Sequence, residues 1–209
     1  CTYCFAGDGQ YHGKVDFMTP QTAKNAIDFL ISRSGPRRRL EVDFFGGEPL
    51  LDMEAVKATI DYARSVEKAA GKEFRFTITT NALALTDELS DYFNREMYNV
   101  VLSIDGRKSV HDAVRKDASG KVSFDRLLAN ARKFVSERGD KSYYVRGTFT
   151  AANLDFAADV LALNDYGFGQ VSLEPVVLAP NDPLAIKEEH IPQLKEQYEI
   201  LAAEYIKRR

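Results

Sequence analysis

The sequence predicts an α/β fold: a curved parallel sheet with its helices outside and a polar lumen inside. Two observations carry this. From residue 19 onward helical and strand patterns alternate without repeats or low-complexity segments, which implies parallel strands joined by crossovers. Each strand also pairs an apolar side with a polar side, whereas a parallel sheet covered on both faces reads as continuous apolar runs.

Thr19 as cap and Pro20 in the first turn announce the first helix, with Ala23, Ala26, Ile27, Leu30 and Ile31 as its apolar stripe and Gly35-Pro36 as its stop. A strand over 40–45 follows. The next helix starts near Asp52, lines up Met53, Val56, Ile60, Ala63 and Val66, and ends at Gly71. A strand over 74–80 precedes a shorter helix over 86–97. Another strand over 99–104 leads through a loop to a helix carrying Phe124, Leu127, Leu128, Ala131, Phe134 and Val135. A strand over 143–150, a helix through Phe156, Val160 and Leu161, a strand over 170–177 and a helix with Ile191, Leu194, Tyr198, Leu201 and Tyr205 complete the alternation.

Along these strands Leu40, Val42 and Phe44 oppose Glu41 and Asp43, and Phe74, Phe76 and Ile78 oppose Arg75, Thr77 and Thr79. Val100, Leu102 and Ile104 oppose Ser103 and Asp105, Val145 and Phe149 oppose Tyr144, Arg146 and Thr148, and Val171 and Leu173 oppose Ser172 and Glu174. An ordinary eight-stranded barrel fills its interior with Val, Ile and Leu. A lumen of acids, Arg, Thr and Ser is instead a place to hold a polar ligand. The alternative is a sheet with one wetted face.

The 209 residues, 44% hydrophobic and 28% charged, describe an ordinary globular domain. A net charge of −3 offers no electrostatic case for nucleic acid, and the basic run at 35–39 reads as a solvated loop before a strand. No apolar run approaches the roughly 18 residues of a membrane span. The chain opens directly on a cysteine motif, which suggests a fragment or processed chain without a signal peptide. Two cysteines fit cytosolic thiol or metal chemistry better than a disulfide scaffold, so a cytoplasmic protein is expected.

Cys1-Thr2-Tyr3-Cys4 is a C-x-x-C, open among a zinc half-site, a redox dithiol and a cluster half-site. A redox motif should open a helix, whereas residues 5–18 read as a glycine-rich loop. A zinc site needs two further ligands, and His12, His111 and His190 are widely spaced and read as surface or loop residues. Gly46-Gly47-Glu48-Pro49 follows a strand directly, so the glycines let the backbone turn and approach a ligand while the Glu can receive a cationic amino group. Thr79-Thr80-Asn81 and Ser103-Ile104-Asp105-Gly106 end the next two strands, and Arg146 has the planar fork that takes a carboxylate. Function collects at the C-terminal ends of barrel strands, where these motifs lie.

C-T-Y-C-F, D-F-F-G-G-E-P, T-T-N and S-I-D-G in this order resemble the radical S-adenosylmethionine (SAM) superfamily, and more narrowly its branch with a C-terminal SPASM or Twitch domain. The stretches L-E-V-D-F-F-G-G-E-P-L, N-V-V-L-S-I-D-G-R, Y-Y-V-R-G-T-F-T and V-S-L-E-P-V-V are similar to the maturase of six-cysteine SCIFF peptides, which forms Cys thioether cross-links. The resemblance implies a partial (β/α)6-type TIM barrel over 1–209, with the first strand, a leader-recognition domain and the auxiliary-cluster domain outside the chain. It makes Cys1 and Cys4 two of three thiolates on a 4Fe-4S cluster, the first lying four residues upstream, so the chain alone is expected to be inactive. It places Tyr3 near the adenine, Gly46, Gly47 and Glu48 at the methionine amino group, Ser103 and Asp105 at the ribose, Arg146 at the methionine carboxylate and Asn81 beside the cofactor. Ala82 stands where the family usually has glycine, so that turn is expected to differ slightly. The implied chemistry is reductive cleavage of S-adenosylmethionine to a 5′-deoxyadenosyl radical that takes hydrogen from a Cys-rich ribosomal precursor peptide, with a flavodoxin- or ferredoxin-type electron donor and auxiliary Fe-S clusters. Formylglycine formation, as in anaerobic sulfatase maturases, is the alternative within the family. A non-catalytic zinc-binding α/β domain is the alternative outside it.

Overall fold

A computed structural model describes residues 1–4 and 16–208; the glycine-rich loop expected from residue 5 and His12 fall largely or wholly outside them. Five parallel strands form one sheet in sequential order: β1 (Arg39–Phe44), β2 (Glu73–Thr80), β3 (Met97–Ser103), β4 (Ser142–Phe149) and β5 (Val171–Pro175). Helices α1 (Pro20–Arg33), α2 (Met53–Ala70), α3 (Asp87–Glu96), α4 (Lys108–Val114), α5 (Phe124–Arg138), α6 (Phe156–Asp165) and α7 (Ile191–Arg208) precede, connect and follow them. Among the described residues no helix is long and apolar enough to cross a membrane.

The helix ends obey local chemistry. Thr19 caps α1 by accepting from the Thr22 backbone N–H, Asp52 caps α2 through Ala55 and Thr86 caps α3 through Leu89. Gly71 ends α2 in the left-handed conformation, φ +64°. The one helix that the sequence pattern conceals is α4: seven residues make only two turns, too few for an apolar stripe to show.

The strand alternation is realised. Phe74, Phe76, Ile78, Val100, Leu102, Ile104 and Val145 are buried in one core with Ile27 of α1, Ile60 of α2, Phe93 of α3 and Leu127 and Phe134 of α5. A second, smaller cluster joins Phe149 and Phe156 to Leu194 of α7. On the other face Thr77, Thr79, Ser103 and Thr148 are half-buried, while Asp43, Arg146 and Glu174 are exposed.

Two strand boundaries, the start of β3 and the end of β5, depart from the sequence reading by two residues, the others by one or none. β3 begins at Met97 because its register against β2 shifts between Phe76 and Thr77, leaving Tyr98 as an extra residue. The bulge turns both Met97 and Val100 to the core and hides the first residues from a period-two pattern. β5 is shorter than expected and ends at Pro175, with a last ladder bond from the Val176 N–H to the Phe149 carbonyl at 2.9 Å.

Candidate active site

Register sets the polar face. Asp43 of β1 lies beside Thr77 of β2, Thr79 of β2 beside Val101 of β3, and Ser103 of β3 beside Arg146 of β4, which in turn neighbours Ser172 of β5. The sequence-predicted residues therefore gather along one face and its C-terminal rim. Arg146 forms an ion pair with Glu174, each about half exposed, so its fork is held across the β4–β5 seam. Desolvation raises the Asp43 carboxyl above its ordinary pKa, and the nearby Arg146 charge works against that rise.

After β1 the chain turns at Gly46, whose φ of +149° disfavours any side chain. Gly47 is exposed, and a side chain there would meet no atom within 4 Å, so the backbone faces open space. Glu48 folds back onto the end of β2. Its Oε1 accepts from Thr80 Oγ1 at 2.7 Å and from the Leu50 N–H at 3.1 Å, and its Oε2 accepts from the Asn81 N–H at 2.8 Å. Burial nevertheless keeps its pKa above the usual carboxylate value, against the pull of these donors. Asn81 Oδ1 accepts from Leu83, and Ala82 adopts φ +59°, the one positive-φ residue other than glycine among those described. The backbone thus keeps the left-handed turn natural to glycine and carries a methyl group in it.

The cysteine motif sits above the ends of β3 and β4. Cys1 is exposed, Cys4 is half-buried, both thiols are free, and the Cys4 N–H donates to the Cys1 carbonyl at 3.1 Å, closing a turn. Thr2 N–H donates to the Val114 carbonyl at the end of α4 at 2.9 Å, and the Tyr3 hydroxyl donates to Asp105 Oδ2 at 2.7 Å. Asp105, expected at a ribose, has no exposed surface. Its oxygens also accept from Arg115 Nε at 2.7 Å, Arg115 Nη2 at 3.0 Å and the Thr148 N–H at 3.0 Å. Gly147 makes the last contact possible: a Cβ there would stand 2.4 Å from the Ile104 carbonyl and 3.0 Å from Asp105 Cα.

His111 corrects the sequence reading. It is 1% exposed, not a surface residue, because α4 turns it under the Asp105 backbone, whose N–H donates to Nδ1 at 3.3 Å. Burial pushes its pKa down to about 4. His190 is tied into its own turn, accepting from the Lys187 N–H at 3.1 Å. Neither histidine joins the cysteines, and among the described residues no three His, Cys, Asp or Glu side chains assemble as a metal site. Arg115 escaped sequence reasoning altogether. Its carboxylate partner Asp105 lies ten residues back, across the short helix α4 that the sequence pattern does not show.

Two thiols on one tight turn fit a partial ligand set for an iron–sulfur cluster, soft donors to a thiophilic metal. The open backbone at Gly47 and the row of Glu48, Ser103 and Arg146 fit a ligand carrying ammonium, hydroxyl and carboxylate groups.

A family model described as the radical SAM superfamily matches residues 1–150. The radical SAM cyclopropyl synthase TigE of Paramaledivibacter caminithermalis is 27% identical over 122 residues, 53% of this chain and 25% of that protein. The cysteine-type anaerobic sulfatase-maturating enzyme of Clostridium novyi is 25% identical over 135 residues, 63% of this chain and 36% of that protein. The matched regions thus span well under half of these relatives. The solved structure of native anSMEcpe with bound AdoMet and Kp18Cys peptide superposes with a TM-score of 0.85 at 15% identity, covering 99% of this chain and 57% of the other. That likeness establishes the partial-barrel fold. Because the family match covers well over half of the sequence, the chain belongs to the radical SAM superfamily.

Proposed function

We propose that this chain is the catalytic core of a peptide maturase that forms Cys thioether cross-links in a Cys-rich ribosomal precursor. The observation that carries the radical core is the placement of the Cys1–Cys4 turn, docked through Tyr3 at the C-terminal rim of a polar sheet face. Cys1 and Cys4 hold the 4Fe-4S cluster together with a third thiolate from elsewhere in the protein. When bound, the cluster and S-adenosylmethionine supply a 5′-deoxyadenosyl radical, while the protein orients its ligands and excludes side reactions.

The chain's own residues bind and orient. Glu48, a half-buried carboxylate with a raised pKa, gains by receiving an ammonium group. Arg146 takes the methionine carboxylate in exchange for Glu174. Ser103 meets the ribose from the end of β3, and Asn81 borders the cofactor. The Tyr3 ring lies toward the adenine, and Asp105 acts through Tyr3 rather than by direct contact. Auxiliary Fe-S clusters and a flavodoxin- or ferredoxin-type donor complete the system outside this chain.

Support for a peptide or protein substrate comes from the sulfatase-maturating relative and from the peptide bound in the solved anSMEcpe structure. The sulfatase-maturating relative favours a second reading, the formylglycine formation that the resemblance offers as its alternative. Parallel incubations of the complete enzyme with a Cys-rich precursor and with a sulfatase peptide separate them. Loss of two hydrogens with a thioether supports cross-linking, whereas formylglycine on a sulfatase peptide overturns it.

A further inference from the structure

Tyr3, Asp105 and Arg115 form one assembly that none of the motifs announces. Asp105 follows β3, Arg115 caps the C-terminus of α4, and Tyr3 belongs to the cysteine turn. The carboxylate takes two guanidinium N–H groups, one phenol and one backbone N–H, so its acceptor capacity is filled from three parts of the chain. The Arg115 guanidinium also lies 5.6 Å from the centre of the Tyr3 ring. A second tie, from the Thr2 N–H to the Val114 carbonyl, fixes the same turn to the same helix end. The Arg115 side chain is only 16% exposed and Asp105 fully buried, so water competes weakly for these bonds.

We propose that Asp105 and Arg115 are positioning residues for the cysteine turn: acting through the Tyr3 hydroxyl, they hold Cys4 at the strand ends before any metal binds. Cluster assembly then begins on a pre-formed turn rather than on a free segment. The bidentate fork matters because a charged point donor in place of Arg115 satisfies one carboxylate oxygen at a time and leaves the Asp105 orientation free. This inference rests on the reading that Cys1 and Cys4 bind a cluster, and its first test needs no iron.

The test compares the protein with Tyr3→Phe and Arg115→Lys. Tyr3→Phe removes one hydroxyl and leaves the Asp105–Arg115 pair intact, so folding is preserved even if Arg115→Lys folds poorly. In metal-free protein, alkylation of Cys4 by iodoacetamide, located by peptide mapping, should quicken about tenfold in Tyr3→Phe, the worth of one charge-assisted hydrogen bond. After anaerobic reconstitution, the reduced-cluster electron paramagnetic resonance signal should broaden in both variants, a change that mere loss of stability would not produce. Unchanged alkylation in Tyr3→Phe, or a reconstituted signal identical to that of the parent, overturns the positioning role. Quickened alkylation in a protein that takes up no iron would leave the docking standing and sink the cluster reading instead.

Discussion

The two ends of the sheet solve the problem of a buried charge in opposite ways. At the N-terminal end Arg138, in the last turn of α5, is 2% exposed and donates to the carbonyls of Phe93, Met97, Tyr98 and Ser142 and to Asn94 Oδ1. Its partners are dipoles, nearly all of them backbone, and burial pushes its pKa down to about 10. At the C-terminal end Asp105 is just as buried but meets a full counter-charge and the cysteine turn. The first arrangement ties helix to strand and serves the fold alone. The second ties the fold to the cysteine turn proposed to hold the cluster. Barrel enzymes divide stability and catalysis between these same two ends.

Replacing Arg138 should separate the two ends most strongly. Arg138→Met leaves several carbonyls without donors and should cost roughly 4 kcal/mol, lowering the melting temperature by about 10 °C. S-adenosylmethionine affinity per folded molecule should not change, as measured by equilibrium dialysis on protein checked for folding. A comparable loss of affinity would show that the ends are coupled. Gly147→Ala acts at the other end. Its Cβ would meet the Ile104 backbone, so strands β3 and β4 must part, at roughly 3 kcal/mol. Here stability and Cys4 alkylation should move together, because the same shift withdraws the Thr148 N–H from Asp105.

His111 gives the C-terminal end a pH dependence. Its pKa, held at about 4 in the fold, lies near 6.5 in the unfolded chain, so the unfolded state binds more protons between these values. Stability should therefore be intact above pH 6.5 and fall as pH drops, by about 2 kcal/mol at pH 5. Denaturant titrations at pH 7 and pH 5 on His111→Gln should show a smaller difference than the parent. The smallest effect is expected at Ala82. Ala82→Gly relieves the φ of +59° but removes a fully buried methyl, and the two nearly cancel. A change within about 1 kcal/mol in equilibrium unfolding checks it.

The elements legible in the sequence were those whose signal is local. Period-two alternation places all five strands, and the helix starts expected from Thr19 as a cap, near Asp52 and about Thr86 fall within a residue or two of those observed. The bulge at Tyr98 and the two turns of α4 were not legible, because each breaks or is shorter than the period that reveals it. The site divides the same way. Cys1, Cys4, Gly46, Glu48 and Ser103 stand at strand ends or in a motif that can be read in place. The commitment of Asp105 to Tyr3 arises only when segments 102 residues apart meet, whereas Arg115 and buried His111 reach Asp105 from ten and six residues away through α4, whose two turns show no pattern.

The Cys1–Cys4 turn is proposed to hold an iron–sulfur cluster facing a site for S-adenosylmethionine. Electron paramagnetic resonance of the anaerobically reconstituted, dithionite-reduced protein tests it most directly, with and without S-adenosylmethionine. A four-iron cluster signal that shifts on adding S-adenosylmethionine and is absent from Cys4→Ala is the predicted result. Zinc without iron or sulfide, or a cluster signal indifferent both to S-adenosylmethionine and to Cys4→Ala, would contradict it.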